Sequence, residues 1–177
     1  MTKEDGSRWT DDDTNALFAT LGRYWIVFQW IEGQLDQILQ LGWGFDNWQE
    51  THRKLSRMNN EGKIKAVSKM ILTSPDFARV HTRPEWVTHF KAFIDALHNE
   101  RKRRNTIIHS QFLFDWADRG LGPPLMSKRS KHADDGGFEQ QFLTREFQRT
   151  LLAELGKLAL DMSFIRTQIV HDHMAEV

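Results

Sequence analysis

The stretch that decides the fold is Asn15–Gly42, NALFATLGRYWIVFQWIEGQLDQILQLG. Leu17, Leu21, Trp25, Phe28, Leu35 and Leu39 recur in it at helical intervals, which predicts one long amphipathic helix. The preceding TDDDT supplies cap-forming side chains and places acids at the positive end of that helix. Glu32 falls inside the apolar stripe. A carboxylate there calls for a cationic or hydrogen-bonding partner, because burying it unpaired is costly.

Beyond the GWGFDNW break, residues 49–73 read as a second helical region marked by Leu55, Met58, Ile64, Val67 and Ile71, with an irregularity at NNEGK. TSPDF and TRPEW are helix starts with proline in a first-turn position. The second opens a long helix from Pro84, with Phe90, Phe93, Ile94 and Leu97 as its stripe. From Phe112 to Phe142 the helical period stops, and DRGLGPPL and DDGGF are turn chemistry. FLFDW and FEQQFLT within this region are candidate partners in a small hairpin. Thr144 then caps a final helix striped by Leu151, Leu155, Leu158, Met162, Ile165 and Ile169. The expected fold is all-α: a four-helix, up-and-down-type bundle with an irregular, hairpin-compatible insertion before the last helix.

A chain of 177 residues suits one domain. The expected organisation is a polar tail over 1–13, a helical domain over 14–174, and the insertion over 112–143. Lys and Arg number 24 and so do Asp and Glu, so any electrostatic footprint is local. The absence of cysteine removes disulfides, thiolate nucleophiles and cysteine-bound zinc. With a polar N-terminus and no long apolar run, the expectation is a soluble, cytoplasmic protein without membrane association. No P-loop, nucleophile elbow or zinc motif occurs, and no cofactor or metal is expected.

The chemistry concentrates in Glu100–Phe112, ERKRRNTIIHSQF. With Leu97 as the centre of the buried stripe, an advance of about 100° per residue puts Arg104 within roughly 20° of it, beside Ile108. An arginine thus occupies an apolar position, where its charged fork suits a phosphate or Glu32. His98, Lys102, Asn105 and His109 form a polar row on one flank. His109 brings an imidazole, which takes and gives protons near neutral pH, and Asn105 could orient it or a phosphate oxygen. Acting on RNA, His109 could move a proton at the 2′-hydroxyl or the leaving 5′-oxygen while Arg104 stabilises charge on phosphorus. The competing account is a structural Arg104–Glu32 pair and a surface histidine. Residue spacing leaves both standing, and Arg83–His89 and Arg166–His171 have comparable spacing.

RNTIIHS, late in a long helix of an all-α chain, resembles the hallmark of the HEPN superfamily: arginine, four to six residues, then histidine. Arg104, Asn105 and His109 match it residue by residue, including the polar residue after the arginine. The resemblance covers residues 14–172 loosely. It implies a helical bundle that homodimerises through the motif-bearing helix and, in catalytic members, a composite metal-independent endoribonuclease site leaving 2′,3′-cyclic phosphate ends. Such members are often toxins of toxin–antitoxin systems or defence effectors; others are inactive binding or regulatory modules for a protein or nucleotide. The implied catalytic set is Arg104, Asn105 and His109, supported by Glu32, His98, Lys102 and Ser110. Arg101 and Arg103, with Lys128, Arg129 and Lys131 of the basic segment SKRSKH, are candidate RNA contacts. RNA and a separate antitoxin or regulatory protein are the candidate partners.

Two further features have plainer readings. His171 and His173 of HDHM, two apart on a helix, point to different faces and suit a surface tail better than a metal site. Of the aromatic residues, Trp25, Phe28, Phe90 and Phe93 read as core, while Trp43, Trp48 and Trp116 near chain breaks are candidates for a pocket.

Overall fold

Thr10 opens the first helix with reciprocal bonds. Its backbone N–H donates to Asp13 Oδ2 at 2.9 Å, and the Asp13 N–H donates to Thr10 Oγ1 at 3.3 Å, so each residue satisfies a donor that the helix start leaves open. Trp9 is buried just before this turn and donates from Nε1 to Thr14 Oγ1. The computed structural model describes residues 9–44, 48–119, 122–129 and 137–174. Helix α1 spans Asp11–Trp43, so the expected polar tail is already structured from Trp9 onward.

Most of the described residues are helical. The helical region expected over 49–73 is two helices, α2 (Trp48–Arg57) and α3 (Asn60–Thr73). The irregularity is a full break: Asn59 turns extended and its side chain accepts from the Gly62 N–H at 2.8 Å, capping α3. A 3₁₀ turn over Pro75–Phe77 leads into α4 (Ala78–His81), and α5 (Pro84–His109) starts at its proline as the sequence predicts. α6 is a single turn, Asp115–Asp118, and α7 spans Arg145–Met174. Thr144 Oγ1 accepts from the Phe147 N–H at 3.0 Å, as expected of an N-cap. Among the described residues, no helix is long and apolar enough to cross a membrane.

The insertion corrects the all-α expectation. It forms a three-stranded antiparallel sheet of β1 (Gln111–Leu113), β2 (Leu125–Arg129) and β3 (Phe138–Phe142), in that spatial order. FLFDW and FEQQFLT do not pair with each other. Each contributes an edge strand to β2, with Phe112 opposite Met126 and Gln140 opposite Ser127. The central strand LMSKR read as turn and loop because only Leu125 and Met126 are apolar and two prolines precede them. Yet Leu125, Met126 and Ser127 are all buried, as a central strand requires.

The chain divides into two compact units, Met1–Trp25 with Arg103–Glu154, and Ile26–Lys102 with Leu155–Val177. In the first, Arg145 donates from Nε and Nη2 to the two oxygens of Asp13, at 2.6 and 2.8 Å. That hydrogen-bonded pair, opposed by burial and reinforced by Thr10, lowers the Asp13 carboxyl from 3.8 to about 2. Nearby, buried Thr20 donates to buried Gln148 Oε1 at 3.2 Å. In the second unit, Phe90 is fully buried and stacks on Trp86 with centroids 5.1 Å apart. Lys63 pairs with Asp36 at 2.8 Å, and Arg83 pairs with Asp172.

The stripe of α7 is buried at all six predicted positions, and so is that of α5 from Phe90 to Leu97. In α1 the buried line runs through Leu17, Thr20, Tyr24, Phe28, Ile31, Leu35, Ile38 and Leu39. Leu21 is only half-buried and Trp25 is 41% exposed, so neither belongs to the core. On α5 the expected Ile108 is exposed and Ile107 is buried instead. The sheet accounts for part of this shift: Lys128 of β2 donates to Thr106 Oγ1 at 3.1 Å, bringing a strand against the end of α5.

Candidate functional site at the end of α5

The sequence turns from helix to strand within one residue, since α5 ends at His109 and β1 begins at Gln111. Ser110 makes that change by donating from Oγ to the Thr106 carbonyl at 2.6 Å, satisfying one of the acceptors that a helix end leaves open. Ser110 therefore serves the local backbone.

Arg104 is half-buried, as its place in the stripe predicts. Its guanidinium lies over the Trp25 ring, with Cζ 4.9 Å from the centroid, and Nη1 donates to Asn105 Oδ1 at 3.0 Å. The indole face attracts the cation, and the Asn105 bond ties down one of its nitrogens. Asn105 is half-buried and presents its carbonyl oxygen to Arg104. His109 is exposed at the last helical position. Five residues along an α-helix are about 7.5 Å of rise and roughly 140° of turn, so Arg104 and His109 leave the helix in different directions.

The neighbouring cations are placed differently. Arg103 forms an ion pair with Glu154 of α7. Lys128 is half-buried and held by Thr106, whereas Arg129, at the end of β2, is exposed. Lys131 and His132 lie outside the described residues, and so does the Trp116 side chain.

The second unit holds the remaining predicted residues. Glu32 accepts a 2.7 Å hydrogen bond from Asn60 Nδ2, which supplies the polar partner that its position in the stripe requires. Arg101 pairs with Glu61 at 3.2 Å, and Glu61 also takes Lys65 at 2.6 Å. The Lys65 hydrogen bond, then the Arg101 and Lys65 charges, hold the Glu61 carboxyl below its ordinary range. His98 is half-buried and Lys102 exposed. His173 stacks on Phe77, centroids 5.5 Å apart, while His171 is exposed. Among the described residues no three His, Cys, Asp or Glu side chains gather as a metal site would need.

Sequence reasoning missed Trp25 as the ring beneath Arg104, because Trp25 read as core. The only available clue was that Tyr24 fits the line through Phe28 and Ile31 better than its neighbour does. Neither a family model, nor a curated protein, nor a solved structure matches the chain.

Proposed function

We propose that this protein is a metal-independent endoribonuclease of the HEPN type, acting as a homodimer through α5, with a four-helix bundle of up-and-down type as its scaffold. The observation that carries the reading is the Trp25–Arg104–Asn105 arrangement, with His109 exposed five residues further along α5. A cation held in place costs little reorganisation when charge develops on a phosphoryl group. An exposed imidazole is free to reach a substrate proton. Because Arg104 and His109 diverge on one helix, a second copy brought face to face is the natural way to complete the set.

In the reaction the RNA 2′-hydroxyl loses its proton and its oxygen attacks the adjacent phosphorus. The bond from phosphorus to the 5′-oxygen breaks, and that oxygen takes up a proton. The products are a 2′,3′-cyclic phosphate and a 5′-hydroxyl. His109 transfers a proton at one of these oxygens, Arg104 stabilises the charge on phosphorus, and Asn105 orients Arg104. Exposed Arg129 and half-buried Lys128 would contribute phosphate contacts. A toxin or defence role in the cytoplasm, restrained by a separate antitoxin or regulatory protein, accords with this activity.

The Trp25 contact also favours a second reading, in which Arg104 is a structural cation and the chain is an inactive HEPN-like binding or regulatory module. One experiment separates the two: cleavage of a fluorescent mixed-sequence RNA in EDTA by the wild type and by His109→Ala. Loss of cleavage in a folded variant, with cyclic phosphate ends in the wild-type products, upholds the nuclease. Equal cleavage in both refutes His109 as the proton-transfer residue, and no cleavage in either across several RNAs leaves the binding module.

A further inference from the structure

The second unit carries a cationic groove of about 720 Å³ along α2, lined by Trp48, Glu50, Arg53, Lys54 and Arg57 among others. Three features make it more than a solvated face. Arg53 and Arg57 are both exposed, four apart on one side of the helix, and among the described residues neither is paired with a carboxylate. Arg57 stands in the last turn of α2, where a cation suits the helix dipole, but a like charge four residues before it disfavours the helix, so helix stability does not account for Arg53. Lys54, although four residues after Glu50, lies over the Trp43 ring, 3.8 Å from its centroid. Trp48, at the other end of the groove, is 64% exposed, a large aromatic surface left in water.

From these we infer that the α2 groove binds a nucleotide unit, as a free nucleotide or within single-stranded nucleic acid, with its phosphates on Arg53 and Arg57 and its base stacked on Trp48. Unpaired guanidinium forks take phosphate oxygens in pairs. An exposed indole gives any base a face to stack on, which a carboxylate chain could not use. The volume lies within the roughly 300–1,000 Å³ typical of ligand sites. This site is separate from the Arg104 and His109 residues and stands whether or not the chain cleaves RNA.

The test uses a fluorescein-labelled ten-nucleotide deoxythymidine strand, which lacks the 2′-hydroxyl and so is not consumed by the proposed nuclease. Binding by the full chain is followed by anisotropy at neutral pH between 50 and 200 mM salt. Two phosphate contacts on a single strand predict an affinity loss of about sevenfold over that range, and the Arg53→Gln/Arg57→Gln variant should show almost no salt dependence. Trp48→Ala should weaken binding at every salt concentration. Competition by ATP would identify a free-nucleotide site, and competition by longer strands but not ATP a single-strand site; either outcome supports the inference. Absence of binding to both probes would overturn it, as would equal binding and salt dependence in the double variant and the wild type. Capture of polyglutamate in place of the oligonucleotide would overturn it too. Helicity measured by circular dichroism verifies that each variant is folded.

Discussion

Replacing Asp13 by Asn removes one charge from the best-connected ion pair in the first unit while keeping its shape and much of its capping capacity. A carboxyl lowered from 3.8 to about 2 corresponds to about 2.4 kcal/mol of linked stability, at about 1.4 kcal/mol per pH unit. Arg145 is 53% exposed, so solvent screening reduces this to roughly 1–1.5 kcal/mol. The sign follows from the direction of the shift. A depressed carboxylate contributes its full stability above the unfolded value near 3.8 and loses it as pH falls through about 2. Urea unfolding of wild type and Asp13→Asn at pH 7, 5, 4, 3 and 2 should therefore show a gap of about 1–1.5 kcal/mol at the two higher values, closing progressively below pH 4. A gap that stays constant from pH 7 to pH 2 would refute the charge argument and assign the effect to packing or capping.

Other outcomes are as direct. Phe90→Ala, at a fully buried ring stacked on Trp86, should cost about 3–5 kcal/mol by urea unfolding; a loss under 1 kcal/mol would mean that the site collapses around the gap. Thr144→Ala should cost about 1 kcal/mol through the lost cap of α7, and Thr144→Ser should restore most of it. Trp25→Leu removes the ring beneath Arg104 and should cost about 0.5–1 kcal/mol of stability. If the nuclease reading holds, it should also lower kcat for RNA cleavage more than it raises KM.

What could be read from the sequence depended on how many faces each segment offered. In α7 the six apolar marks recur at strict alternating four- and three-residue intervals, so that buried line was legible even though Leu160 and Phe164 stand exposed off it. α1 carries apolar side chains on several faces, and Phe18, Ile26 and Trp30 remain exposed. Periodicity alone could not choose between a line through Leu21 and Trp25 and one through Tyr24 and Ile31. The sheet was hidden because β2 has few apolar residues and its burial comes from its neighbours. At the site, the motif residues were legible one by one. Their contacts were not: Trp25 under Arg104, Lys128 on Thr106 and Glu154 on Arg103 each join separate elements, and such pairings are set by tertiary packing.

The Asp13–Arg145 and Thr20–Gln148 bonds link positions 132 and 128 residues apart, and each of the two units is assembled from separated stretches of chain. During synthesis, which proceeds from the N-terminus, neither unit can close when its first stretch emerges. The partners of Asp13 and Thr20 lie in the first turn of α7, so neither bond can form until that helix has been made. Until then the nascent chain presents a long apolar helix to its surroundings, so chaperone engagement should end abruptly as Arg145–Met174 clears the ribosome. A nonsense mutation anywhere before α7 would leave two incomplete units rather than one intact and one missing.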